Sequence, residues 1–76
     1  MNITKELATA FVQRSEYLGL KGKKRDDEAV AYFVGAASVL NIVGRTKESE
    51  QLSLFAAHVL AYRGFRAVEL ATTTEG

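Results

Sequence analysis

Cysteine, proline and tryptophan are all absent from the 76 residues. Without cysteine there is no disulfide scaffold and no zinc site built on thiolates, and the chain suits a reducing, cytoplasmic setting. Without proline there is no collagen-like or proline-rich segment. One histidine and no thiol leave few nucleophiles or bases, so an enzyme is not expected, and no catalytic residue, metal site or cofactor is assigned. Charge of one sign is lacking too. Ten Lys and Arg face nine Asp and Glu, which excludes binding driven by bulk positive charge. The longest apolar stretch, residues 29–43, is broken by Gly35, Ser38 and Asn41. It falls short of the roughly 20 residues of a membrane span, so no membrane association is expected. The first residues lack a basic region followed by an apolar core, and no secretory signal is read there.

What is present is helical periodicity punctuated by glycine. Ile3, Leu7, Phe11 and Leu18 recur at helical spacing, with Ala8 and Val12 beside them, and predict a first helix from Thr4 to Leu18. Gly19 followed by Leu20 is the usual sequence of a Schellman ending. The residues from Gly19 to Arg25 read as a basic link. Asp26 reads as the N-cap of a second helix, with Asp27 and Glu28 complementing its dipole. That helix runs from Asp27 to Val43 and stops at Gly44. A third begins between Thr46 and Ser49, capped by one of those two residues. Its apolar stripe is Leu52, Phe55, Val59 and Tyr62. Residues 65–71 favour helix, because Ala67, Glu69, Leu70 and Ala71 are helix formers. Residues 72–76 read as a disordered tail. The expectation is one all-α domain over residues 1–71, a small three-helix bundle with a short fourth helix.

A single core of this size supplies little more than about 3–5 kcal/mol, and such chains usually add a disulfide, a metal or a partner. With the first two lacking, a homo-oligomer is expected. The second helix is apolar nearly all round, and a helix of that kind must be buried nearly all round. Val30, Phe33, Val34, Ala37 and Leu40 are therefore the expected interface. The small residues from Gly35 to Ser38 would admit another backbone.

The most distinctive feature is the link. Lys21, Lys23, Lys24 and Arg25 put four positive charges within five residues, beside Gly19 and Gly22. Such a run suits the phosphates of a nucleotide or nucleic acid, and Tyr17, one turn earlier, offers a ring for a base to stack on. The same run also reads as a solvated loop that balances the acids after it. Acids at the start of the second helix would repel a phosphate there, so the side chains of the link would have to hold it. Gly19-Leu20-Lys21-Gly22 matches the GxxG loop of the KH fold, but no candidate strands accompany it. His58 stands alone and reads as an ordinary helix residue. If the helices run up, down and up, Arg63 and Arg66 fall at the same pole as the link.

Size, composition and the alanine-rich helical pattern resemble small accessory proteins encoded by bacteriophages, some of which are counter-defence proteins. That resemblance implies a non-catalytic inhibitor or sequestering role. The expected function is capture of an anionic ligand, a signalling nucleotide or nucleic acid, by Tyr17, Lys21, Lys23, Lys24 and Arg25. The alternative is an inhibitor or adaptor that docks on a host protein through an apolar helix face, on the second helix or at Leu54 and His58.

Overall fold

The structure, a computed structural model, describes residues 2–73, with the Arg63 side chain outside that description. Its elements are all helical: α1 (Ile3–Leu18), α2 (Gly22–Ile42), α3 (Thr46–His58), a π turn (Val59–Arg63) and α4 (Phe65–Ala71). No strand occurs among the described residues.

α1 starts on Asn2, whose side chain accepts the Lys5 N–H at 3.1 Å. It ends as its sequence predicts. Gly19 takes a left-handed conformation, φ 67°, its N–H reaches the Glu16 carbonyl, and the Leu20 N–H returns to the Ser15 carbonyl at 2.9 Å. This tucks Leu20 against the core and leaves Leu18 exposed, so Leu18 drops out of the expected stripe. Ser15 is buried in its place, and its hydroxyl donates to the Val12 carbonyl.

α2 begins at Gly22, five residues before the expected Asp27. Lys and Arg are good helix formers, and the two positive-φ glycines complete the turn within three residues. Most of the basic run is therefore the first turn of a helix and not a loop. The far end closes with a second Schellman turn: Gly44 N–H to the Asn41 carbonyl, Arg45 N–H to the Leu40 carbonyl. In α3 neither Thr46 nor Ser49 is the cap. Thr46 already lies in the helix, and the Ser49 hydroxyl donates 2.7 Å across to the Ala37 carbonyl of α2.

α2 and α3 form the most extensive pair, and α1 packs chiefly on α4. Phe11 joins the pairs, with its ring 5.3 Å from Tyr32, 6.2 Å from Phe33 and 6.0 Å from Phe65. Around it lie Leu52, Val59, Val68 and the buried alanines 8, 29, 37, 56, 67 and 71. Alanine lets helix axes approach closely, which is how so short a chain closes a core. Residues 65–71 are helical, and Thr72 and Thr73 complete the last turn of α4 instead of opening a tail. The rest of the expected tail, residues 74–76, lies outside the described residues.

α3 does not run straight into α4. The Gly64 N–H bonds the Val59 carbonyl, five residues back, at 2.9 Å. This wider π turn shifts the side-chain register. Tyr62, expected on the buried stripe with Leu52 and Val59, is 79% exposed and stacks outside on His58, ring centroids 5.6 Å apart.

Candidate functional site

The start of α2 is where the sequence-derived site lies, and its geometry differs from a flexible basic loop. Lys21 stands at the N-cap position in extended backbone, φ −144° and ψ 154°, and makes no side-chain cap. The first helical hydrogen bond is Arg25 N–H to the Lys21 carbonyl. The N–H groups of Gly22, Lys23 and Lys24 therefore have no partner among the described residues, as at any uncapped helix start.

The four cations divide into two kinds. Lys23 is paired with Asp27 one turn on, at 2.8 Å. The hydrogen bond to that carboxylate, and secondarily its charge, raise the lysine's pKa above the usual 10.5. Arg25 lies with its guanidinium 3.9 Å over the Phe65 ring, and its Nε is buried without a hydrogen-bond partner. Arg25 therefore serves packing through cation–π contact with Phe65. Lys21 and Lys24 are exposed and make no ion pair among the described residues. Tyr17 is 89% exposed on the last turn of α1 and makes no ring contact among the described residues.

The expected acidic cap belongs elsewhere. Asp26 accepts the Phe65 N–H at 2.8 Å through Oδ1, so it caps α4. The Asp26 carboxylate is thus hydrogen-bonded at a different helix start, while its charge still acts on Lys23 in the first turn of α2. Sequence reasoning missed this contact because its partners are separated by 39 positions. The cleft beneath the link, lined by Ser15, Leu20, Lys21, Arg25 and Phe65, also carries Glu16 and Glu69, an unfavourable interior for an anion. On the other side of Asp26 a second cleft lies between α2 and the π turn, lined by Lys23, Asp27, Val30, Leu60, Tyr62 and Gly64.

Residues 64–65 meet the first turns of α2. Arg66 is exposed there. The expected self-association face is largely consumed inside the chain. Phe33 and Ala37 are core residues, and Val30 and Leu40 are packed against the core. Of the five only Val34 is exposed, because one face of α2 already serves α1, α3 and α4. The apolar surface that α2 does present lies towards its far end, at Val39, Ile42 and Val43.

No group of three or more potential metal ligands is gathered among the described residues, and no described helix is long and apolar enough to cross a membrane. No family model, no curated protein and no solved structure matches this chain.

Proposed function

We propose that the chain is a non-catalytic binding protein that captures the phosphate of a nucleotide or nucleic acid at the start of α2. One observation supports this reading: N–H groups at Gly22, Lys23 and Lys24 without partners among the described residues open a helix beside Lys21 and Lys24, which make no ion pair among those residues. Free N–H groups and the positive end of the dipole favour a phosphate, and ammonium groups add point charge. Lys23 and Arg25 now stand outside the contact set, the one paired and the other stacked. Tyr17 remains the surface for a base. The likeness to small phage accessory proteins accords with such a sequestering role.

The test is an amide titration followed by NMR with inorganic pyrophosphate as the probe. Saturable shifts centred on Gly22, Lys23 and Lys24, abolished in a Lys21→Glu/Lys24→Glu variant with unchanged helix content, are expected. Shifts that ignore these amides, or that survive the double substitution, would overturn the proposal.

A second reading is favoured by a separate observation. Leu54, His58 and Tyr62 stand one turn apart along α3 and the π turn; all three are exposed, and the last two are stacked. Such a row suits docking on a partner protein. A Leu54→Ala/Tyr62→Ala variant separates the readings, because it spares pyrophosphate binding and removes only a protein contact.

A further inference from the structure

We propose that Gly64 is a hinge through which α4 is exchanged between two copies of this chain. The argument starts from the backbone. Gly64 has φ 54° and ψ −143°, a combination open to glycine and closed to residues with a Cβ. It is the only residue between the π turn and α4. A Cβ placed there would lie 2.8 Å from Asp26 Oδ2. The break in the helix is therefore permitted by one residue type and held by one carboxylate.

α4 itself is an exchangeable unit. It has seven residues, and Phe65, Ala67, Val68 and Ala71 are buried. Its attachments include the Asp26 cap on the Phe65 N–H, the Arg25 contact on the Phe65 ring, and packing chiefly on α1 with smaller contacts to α2 and the π turn. Its apolar face cannot remain in water, so a released α4 needs an equivalent surface. The surface shaped for it is the one it leaves, α1 with the first turns of α2, and a second copy offers that surface reciprocally. Exchange then restores the apolar packing of α4 in each copy, while the Phe65 N–H passes from the Asp26 cap to an ordinary helical bond, which makes swapping an inexpensive route to dimers.

The dimensions agree. A helix running uninterrupted from Thr46 to Ala71 would be about 39 Å long. The whole domain measures 33 Å along its longest axis. Straightening at Gly64 therefore carries α4 off its own body. The segment that would straighten is already irregular, because the π turn yields a regular helix by replacing its i→i+5 bond with i→i+4 bonds. In the exchanged pair the two hinges lie beside each other at the symmetry axis, where the exposed Leu60 and Tyr62 of each copy would cover one another.

The experiment compares wild type, Gly64→Ala and Asp26→Ala by size-exclusion chromatography with light scattering and by circular dichroism, at matched concentrations from about 10 μM to 1 mM. Gly64→Ala adds a Cβ that disfavours the bend, and Asp26→Ala removes the latch without adding an atom. A doubling of mass relative to wild type is expected in both, with helix content kept. Labelled and unlabelled dimers of an exchanged kind must open to mix, so they form hybrids at least tenfold more slowly than they pass the column. Variants that keep wild-type mass and helix content overturn the proposal, as does a dimer whose subunits mix within the dead time. If Gly64→Ala loses its helix signal, Asp26→Ala decides alone.

Discussion

Two helix starts lie side by side at one pole of this molecule, and they are finished in opposite ways. α4 begins at Phe65, whose N–H is capped by Asp26 from another helix and whose ring is covered by Arg25. α2 begins with no side-chain cap and with lysines where acids would stabilise it. Both acid and base come from the same few residues, 21–27. The buried start takes the carboxylate, because an unpaired N–H is costly out of water; the exposed one is left to solvent or to a ligand. The difference teaches that one short charged run can finish one helix start and leave its neighbour open.

The strongest way to break the comparison is to remove what supports both starts. Phe11 stacks on Tyr32 and Phe33 of α2 and on Phe65 of α4. Phe11→Ala is expected to cost about 3–5 kcal/mol, the whole stability of a domain this small, and to abolish the cooperative urea transition. Next in size is the capped start. Asp26→Ala is expected to destabilise by about 1–2 kcal/mol, with the amides of α4 losing hydrogen-exchange protection before those of α2 and α3. Uniform loss of protection would instead assign Asp26 a general structural role.

A substitution at the uncapped start should do the reverse. Lys21 already has the extended backbone of an N-cap residue. Lys21→Asp supplies the missing cap and removes a repelling charge, so stability should rise by about 0.5–1 kcal/mol, as read by urea unfolding. The same change should erase the pyrophosphate response. A gain of stability with binding intact would separate the site from the helix start.

The smallest effect belongs to the Lys23–Asp27 pair. The lysine's raised pKa means that its contribution is complete below 10.5 and is lost as pH rises through the raised value. The pair stands in solvent, where such pairs contribute little. Lys23→Gln should leave the neutral-pH urea midpoint unchanged within error, and a clear fall would show that this pair shapes the α2 start.

Much of the secondary structure was legible in the residues themselves. The Gly19-Leu20 ending, the Gly44 stop and the helical character of residues 65–71 follow from local chemistry, which acts within a turn. The start of α2 was not legible, because Asp26 looks like a cap for whichever helix follows it. Only the packed chain shows that the helix it caps is α4. Tyr62 was misplaced for a related reason. A count in steps of three and four assumes an α-helix, and nothing in Val59–Arg63 announces the wider turn. The interface assignment failed at Phe33 and Ala37 because apolar periodicity marks a face to be buried without saying by what. Of the candidate site, the differing surroundings of its four cations were not legible, since they depend on Phe65 and Asp27 as neighbours.

The π turn has one more implication, for how this gene tolerates change in length. A helix closed five residues back holds one residue more than a regular turn over a similar rise. Loss of a single codon among residues 60–62 would be absorbed by tightening that turn, with Leu52 and Val59 keeping their places in the core. The same loss near Ala56 would rotate Val59 out of the core. The irregular turn is thus a stretch where loss of one residue leaves Leu52 and Val59 in place, which the same loss within α3 does not.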